Sequence, residues 1–250
     1  MRPDPDGAFV SPDTSLAARI RNHDWPDSTA LAQALAERVA DNIRSGIETR
    51  GTATIALSGG TTPKRFLQAL SRSDLDWSRL QVTVADERWV TESEIRSNSH
   101  LLHSWLFQGP AAAAEFISLY VNNASAQEAV PIVAGRIAAL SMPFDAVVLG
   151  MGDDGHFASL FPGADGLALA LDPHSSATII AIRAVAAPEP RMSLTLATLL
   201  RSRHTYLHIE GESKRSRFAA AIGSAGAAER LPVRALVENL ANGLDLYWCP

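Results

Sequence analysis

The stretch of sequence that decides the fold is FDAVVLGMGDDGHFASLFPG, residues 144–163, in which an apolar run ends abruptly in glycines, two acids and a histidine. The residues before Gly150 form a nearly continuous apolar run, interrupted only by Asp145, with two adjacent valines, which is typical of a short strand covered on both faces of a parallel sheet. In open α/β sheets, ligands bind beyond the carboxyl ends of the strands. The sequence therefore places Asp153, Asp154 and His156 where a reaction site is expected.

The glycines of this stretch allow a second interpretation. Gly150, Gly152 and Gly155 match the spacing G-x-G-x-x-G of a dinucleotide-binding turn, although that pattern alone is weak. In such a turn a pyrophosphate lies against the backbone amides at a helix N-terminus. Here Asp153 and Asp154 would place two carboxylates beside the anion, so the sequence disfavours a dinucleotide at this turn. A nicotinamide-dependent dehydrogenase remains an open alternative, which cofactor binding would reveal.

A second loop, in TATIALSGGTTPKRF at residues 52–66, follows a β-branched strand and opens a helix. Proline is favoured at the first helical position, and the sequence predicts Thr62 as the N-cap before Pro63. The amides of a helix N-terminus and nearby hydroxyls donate to anions, and glycines allow close approach by a phosphate. The Walker spacing is missing, so a simple phosphoester is favoured over a nucleoside triphosphate. The candidate phosphate-binding residues of this loop are Ser58, Gly59, Gly60 and Thr61.

A third polar cluster follows the alternating valines of QVTVADERWV, residues 81–90. Asp86, Glu87 and Arg88 arrive there at another predicted strand end. Arg88 has two interpretations: its planar guanidinium recognises an anion, or it pairs with a neighbouring acid on the surface. The sequence alone leaves both open.

Several motifs, taken in their order along the chain, resemble the 6-phosphogluconolactonase family: SGGTTP, DERWV followed by SNSHLL, and LGMGDDGHFASLFPG. PEPRMSLTLATLL around Arg191 and EGESKRSRF around Lys214 resemble two further family segments, so the resemblance covers about residues 25–250. Glucosamine-6-phosphate deaminases of the same superfamily share the glycine loop and the GxGxDGH turn. The continuation FASLFPG and the arginine at Arg88 favour the lactonase branch. The chain departs from the commoner family residues at Thr61, Phe157 and Met192, none of which removes a polar group that the chemistry requires.

The resemblance implies hydrolysis of 6-phosphoglucono-1,5-lactone to 6-phosphogluconate, a step of the oxidative pentose phosphate pathway. We expect His156, held by Asp154, to take a proton from the water that attacks the lactone carbonyl, with Asp86 as a weaker candidate partner. General-base catalysis typically contributes about 10²–10⁴-fold, and binding through the phosphate positions the carbonyl. The amides of Gly59 or Gly60, or Arg88, are candidate donors to the oxyanion. The predicted contacts to the phosphorylated sugar lactone are Ser58, Gly59, Gly60, Thr61, Arg88, Arg191 and Lys214.

The composition fits a soluble cytoplasmic enzyme. The chain has 250 residues, of which 46% are hydrophobic and 20% charged, and we predict one catalytic domain over residues 1–250, with residues 1–24 as an irregular extension. No apolar stretch approaches the roughly 20 residues of a membrane span, and no secretory signal is recognisable. The net charge of −5 disfavours nucleic acid as a partner. Cys249 is the only cysteine and HExxH is absent, so we predict no metal and no cofactor.

The order of elements predicts an α/β fold: a mainly parallel sheet with helices on both faces, in a Rossmann-like three-layer architecture. Asp27 or Ser28 is expected to cap a helix with an apolar stripe. A strand is expected around residues 178–182, then a helix from beyond Arg191 through Leu200. Residues 109–114 and 223–228 are expected to be surface loops.

Three alternatives to the lactonase remain open on the sequence alone: the dehydrogenase, a glucosamine-6-phosphate deaminase and isomerase, and a sugar-phosphate sensor without catalysis. The sequence does not choose between a monomer and a homodimer.

Overall fold

The computed structural model describes residues 14–185, 187–223 and 231–250. The strands in this part of the chain are β1 (Ile20–Asp24), β2 (Ala53–Leu57), β3 (Leu80–Val84), β4 (Asp86–Arg88), β5 (Glu115–Ile117), β6 (Ala146–Leu149), β7 (Ile179–Ile182), β8 (Arg191–Leu194), β9 (Thr205–Glu210) and β10 (Leu244–Cys249). The helices are α1 (Thr14–Ala17), α2 (Ser28–Arg50), α3 (Lys64–Leu70), α4 (Asn98–Trp105), α5 (Ala126–Ala138), α6 (Leu167–Ala170), α7 (Leu196–Leu199), α8 (Glu212–Gly223) and α9 (Pro232–Asn239).

Seven strands form one parallel sheet in the order β1-β10-β9-β6-β2-β3-β5, flanked by helices. Every residue of β2, β6 and β10 is buried, as the apolar runs of β2 and β6 predict. From β2 the chain moves outward to β3 and β5, then returns to β6 on the other side of β2. The carboxyl ends of β2 and β6 therefore border the topological switch point, where ligands bind in open α/β sheets. The predicted fold class is confirmed.

A second, antiparallel sheet joins β4, β8 and β7. Its central strand corrects the expectation of a helix starting just beyond Arg191, because Arg191–Leu194 pairs with β4 on one side and β7 on the other. The helix α7 begins only after Thr195, whose hydroxyl accepts from the backbone N–H of Thr198 at 3.3 Å. A short apolar run reads alike as a buried strand and a buried helix, so the sequence pattern did not separate them.

Helix α2 follows the sequence pattern closely. The carboxylate of Asp27 accepts hydrogen bonds from the backbone N–H groups of Thr29 at 2.8 Å and Ala30 at 2.9 Å, which confirms Asp27 as the N-cap. Gly51 ends the helix in the left-handed conformation, with φ of 82°. The predicted apolar stripe of α2 is buried at Leu31, Leu35, Val39 and Ile43.

Residues 20–24, expected to be irregular, form β1 at the edge of the main sheet. The sequence IRNHD lacks an apolar pattern because an edge strand is covered on fewer sides. Polar contacts hold it instead, since Arg21 Nη2 lies 2.7 Å and His23 Nε2 2.8 Å from the carboxylate of Asp245 on β10.

The remaining loop predictions have mixed outcomes. The predicted loop at residues 109–114 contains a 3₁₀ helix, Gly109–Ala113, and most of residues 223–228 lie outside the described residues, as do residues 1–13. None of the described helices is both long and apolar enough to cross a bilayer.

Candidate active site

A cavity of about 370 Å³ opens at the switch point, beyond the carboxyl ends of β2 and β6. It brings together residues that lie far apart in the sequence. Of the predicted catalytic residues, Asp86 and His156 line it, and Asp154 contacts His156 from behind. All the predicted substrate-binding residues line the cavity: Ser58, Gly59, Gly60, Thr61, Arg88, Arg191 and Lys214.

His156 is held through one ring nitrogen. Its Nδ1 lies 2.5 Å from Asp154 Oδ1, and the same oxygen accepts from the backbone N–H of His156 at 3.2 Å. An ionised carboxylate only accepts hydrogen bonds, so Nδ1 carries the proton and Nε2 keeps its lone pair. The histidine is thereby held in the tautomer that a general base requires.

The glycines of this turn make room for the histidine. A Cβ on Gly152 would lie 2.2 Å from His156 Cε1 and 2.8 Å from Asp154 Oδ1, closer than a Cβ atom approaches a non-bonded neighbour. Gly155 has φ of +78°, a conformation that disfavours other residues. Gly152 is thus explained by the histidine–aspartate pair and Gly155 by the left-handed turn of the backbone, without a dinucleotide.

The loop after β2 is packed tightly against α4. A Cβ on Gly59 would lie 1.8 Å from Asn98 Oδ1, and the Asn98 side chain is fixed because its Nδ2 donates to the backbone oxygen of Asp86 at 2.8 Å. Gly60 has φ of +100°. The Ser58 hydroxyl lines the cavity, is buried and has no hydrogen-bond partner among the described residues. This loop offers an unused hydroxyl at the wall of the cavity.

The predicted N-cap of α3 was wrong. The helix begins at Lys64, so Pro63 occupies the capping position and no side chain caps the first turn. Pro63 has ψ of −3°, and regular helical hydrogen bonding starts at its carbonyl, which accepts from Leu67 N–H at 2.8 Å. Thr62 still lines the cavity.

Two arginines face each other in the antiparallel sheet. Arg88 on β4 is directly opposite Arg191 on β8, and like charges in this position destabilise a sheet. The Nε groups of both arginines are buried without a partner in the described part of the chain. Arg88 Nη1 donates to Arg96 O at 2.6 Å, while Arg191 Nη2 is 3.7 Å from Glu189 Oε2. A buried and a half-buried cation, each with an unused Nε donor, are suited to an anionic ligand.

Burial lowers the pKa of Arg191, and the positive charge of Arg88 acts in the same direction, whereas Asp86 opposes the shift. Arginine nevertheless stays charged at neutral pH. Arg88 forms no ion pair with an acidic side chain in residues 14–185, 187–223 and 231–250, so the interpretation of Arg88 as part of a surface ion pair was wrong.

Asp86 connects the cavity wall to the histidine turn. It is 6% exposed, its Oδ2 accepts from Ser159 Oγ at 2.5 Å, and its Oδ1 lies 3.4 Å from Asn98 Nδ2. Ser159 follows His156 by three residues, so this hydrogen bond ties β4 to the segment that carries the histidine.

Glu87 was missed as a structural residue of the site. It is fully buried and accepts from the backbone N–H groups of Arg88, Asn98 and Ser99 at 2.7–2.8 Å, and from Ser99 Oγ at 2.6 Å. Burial raises the pKa of Glu87, and the hydrogen bonds from Ser99, Asn98 and Arg88 oppose that rise. A carboxylate at the N-terminus of α4 is electrostatically favourable. In the sequence, only the serines and asparagine of SNS, residues 97–99, indicated polar partners for this carboxylate.

The cavity is also lined by Lys214 from α8 and His208 from β9. His208 Nε2 is 3.1 Å from Glu210 Oε1, and this hydrogen bond lowers the pKa of Glu210, with the positive charges of Arg65 and Lys214 adding to the effect. His208 was missed because it lies in a strand whose alternation reads as ordinary core.

The doubly wound sheet and the cationic cavity at its switch point define an α/β protein of the class that holds small anionic ligands beyond its strand ends. The family described as glucosamine-6-phosphate isomerases/6-phosphogluconolactonase matches residues 26–248. The chain is 44% identical over 228 residues to the 6-phosphogluconolactonase of Rhizobium meliloti, covering 91% of this chain and 98% of that protein. It therefore belongs to the 6-phosphogluconolactonase family, as the sequence motifs predicted.

Two further comparisons agree. The 6-phosphogluconolactonase of Pseudomonas aeruginosa is 41% identical over 235 residues, which covers 94% of this chain and 97% of that protein. The crystal structure of a 6-phosphogluconolactonase from Shewanella baltica superposes with a TM-score of 0.88 at 34% identity, covering 92% of this chain and 97% of that one.

Proposed function

We propose that this protein hydrolyses 6-phosphoglucono-1,5-lactone to 6-phosphogluconate, as a cytoplasmic step of the oxidative pentose phosphate pathway. One observation carries the proposal: a single cavity combines two opposed arginines whose Nε groups are unpartnered with a histidine whose Nδ1 is occupied by a carboxylate. The arginines suit a phosphate, and the free Nε2 suits activation of water. Full-length relatives that are called 6-phosphogluconolactonases support the choice of substrate.

The chemical step uses His156 as a general base. Nε2 takes a proton from a water molecule, the water oxygen attacks the lactone carbonyl, and the imidazolium that forms is stabilised by the Asp154 carboxylate on Nδ1. Collapse of the tetrahedral intermediate breaks the ring C–O bond, and the ring oxygen takes the proton from the His156 imidazolium to become a hydroxyl, while the new carboxylic acid loses its proton to solvent to give 6-phosphogluconate. A δ-lactone is an activated ester, so positioning and one base suffice for the reaction.

Phosphate binding supplies the positioning. In this mechanism Arg191, Lys214 and the loop from Ser58 to Thr61 hold the phosphate, which fixes the distant carbonyl near His156. Well-oriented binding of this kind can contribute about 7–11 kcal/mol to lowering a barrier. Arg88 is the donor available for the oxyanion in this arrangement, because the amides of Gly59 and Gly60 belong to the loop that holds the phosphate.

Asp86 acts in this proposal as a support for the site. Both of its carboxylate oxygens already accept hydrogen bonds from Ser159 and Asn98, so it orients neighbouring groups. Asp86 therefore keeps a place in the proposed catalytic machinery, though without a proton transfer of its own.

Hydrolysis of freshly generated 6-phosphogluconolactone by the wild type and by His156→Ala tests the proposal. Both rates are corrected for spontaneous hydrolysis. We expect a loss of about 10²–10⁴-fold in kcat, the usual contribution of a general base. The exposed His174, changed to Ala, is the matched control and should retain the wild-type rate.

Other outcomes identify the alternatives. Ammonia released from glucosamine 6-phosphate would indicate a deaminase, reduction or oxidation of a nicotinamide would indicate a dehydrogenase, and binding of 6-phosphogluconate without turnover would indicate a sensor. A wild-type protein that does not accelerate lactone hydrolysis would refute the proposal. Sedimentation of the same sample distinguishes the monomer from the homodimer.

A further inference from the structure

One aromatic side chain, Phe161, packs beside both the candidate base His156 and the candidate phosphate-binding residue Arg191. The ring of Phe161 lies 4.2 Å from the His156 ring, centroid to centroid, at an interplanar angle of 41°. The guanidinium carbon of Arg191 lies 5.8 Å from the centre of the same Phe161 ring. Phe161 is 7% exposed and lines the cavity, so its ring is the direct packing link between the candidate base and the candidate phosphate cation.

The other contacts of His156 and Arg191 do not fix their side-chain conformations, and packing against Phe161 restricts them further. Asp154 holds His156 at one nitrogen only, and that contact leaves rotation of the ring plane to be set by packing. Arg191 has an unpartnered Nε, and its ion pair with Glu189 is long, at 3.7 Å. A rigid ring with two side-chain torsions fixes neighbours at low entropic cost, and a cation within about 6 Å of its face is attracted to it.

The segment around the ring is itself anchored. Ser159 Oγ donates to Asp86 Oδ2 at 2.5 Å, and Ser159 N–H donates to Ser193 Oγ at 3.3 Å. Ala158 adopts a left-handed backbone, with φ of 48°, which turns the chain immediately before this anchor. The ring of Phe161 is therefore presented from a fixed backbone.

We propose that Phe161 is a positioning residue that sets the distance and orientation between His156 and Arg191, and thereby makes hydrolysis depend on the phosphate of the substrate. This inference rests on the proposed function, because it assigns base and phosphate roles to those two residues. A lactone with a phosphate at the right distance engages both groups at once. A lactone without the phosphate gains nothing from the fixed spacing.

The test compares two substrates, 6-phosphogluconolactone and unphosphorylated glucono-1,5-lactone, in the wild type, Phe161→Leu and Phe161→Tyr. Leucine keeps an apolar side chain but removes the ring, whereas tyrosine keeps the ring. We expect Phe161→Leu to lower kcat/KM for the phosphorylated lactone about 10–100-fold, as a misplacement near 1 Å does, and to lower the ratio between the two substrates. Phe161→Tyr should restore the ratio to within about threefold, since cation–π and packing contacts are kept.

Phe144→Leu is the matched control. Phe144 is fully buried at the other end of the β6 segment, so the same substitution should lower thermal stability without changing the substrate ratio. An unchanged ratio in Phe161→Leu, or an equal loss in Phe161→Leu and Phe161→Tyr, would overturn the proposal.

Calorimetric binding of 6-phosphogluconate and of gluconate separates this inference from the proposed function. We expect Phe161→Leu to weaken 6-phosphogluconate several-fold and to leave gluconate unchanged, whatever the rate of hydrolysis. If the wild type binds 6-phosphogluconate without hydrolysing the lactone, the proposed function fails while the spacing role stands on the binding difference. If Phe161→Leu binds 6-phosphogluconate as the wild type does, the spacing role fails.

Discussion

Gly152 shows how a single position without a side chain can matter for a reaction. The space that a Cβ would need is filled by the His156 ring and by Asp154 Oδ1. Because the His156 ring is also packed against Phe161, a Cβ on Gly152 would displace it toward the cavity. The glycine is therefore a condition for the geometry of the base.

The substitution Gly152→Ala is expected to lower kcat about 100-fold, because a displacement near 1 Å of a catalytic group has effects of that size. The measurement is kcat together with thermal unfolding. Gly135→Ala is the control, since a Cβ on Gly135 would have no neighbour within 4 Å and alanine is favoured over glycine inside a helix. Full activity in Gly152→Ala would show that catalysis does not require the present position of the His156 ring.

At the scale of elements, β4 and β8 hold two arginines against their mutual repulsion. The free energy of this arrangement is unfavourable without a ligand, since like charges oppose each other and donors are left unused. The repulsion between the arginines thus destabilises the antiparallel sheet in the free protein, and a bound anion would reduce that repulsion.

Arg191→Met should raise KM for the phosphorylated lactone about 10–100-fold, the equivalent of one or two charge-assisted hydrogen bonds. The same change should leave the urea midpoint of the ligand-free protein unchanged or higher, because it removes one of the opposed charges. Arg136→Met is the contrast: Arg136 donates to Ser118 O and Tyr120 O at 2.9 Å outside the cavity, so its loss should lower stability and leave KM alone. The reverse pattern would make Arg191 a structural residue.

The elements also show what sequence reasoning could reach. The apolar run of β6 and the stripe and cap of α2 act locally, so they were predicted correctly. The strands β4 and β8 carry charged residues in short segments, and their pairing depends on contacts between distant positions, so the small sheet was missed. Buried side chains that act through space, such as Glu87 and Phe161, left no periodic signal.

At the scale of the whole molecule, the cavity has the opposite charge to the chain as a whole. The chain carries a net charge of −5, yet Arg88, Arg191 and Lys214 converge on one cavity. Salt limits the range of interactions between surface charges to about 8–10 Å. A phosphate inside the cavity therefore interacts mainly with these nearby cations.

The loss of folding stability at acid pH should depend partly on Glu210. Its pKa is lowered in the fold, so its contribution is present above the unfolded-state pKa near 4.3 and is lost as the pH falls through the folded-state pKa. In urea unfolding between pH 3 and 6, the difference between the wild type and Glu210→Gln should therefore be largest above about pH 5 and shrink below pH 4. The exposed Glu48, changed to Gln, is the control, and an identical pH dependence in both variants would contradict the assignment.

The edge strand β1 has a consequence for synthesis on the ribosome. Its partner β10 lies far along the chain, as the pair Arg21 and Asp245 shows with a separation of 224 residues. Strands β2 and β6, which carry the site, emerge and can pair long before β10 is made. Strand β1 therefore has no neighbour until residues 244–249 have been made, so the sheet is completed at this edge only after β2 and β6 have paired.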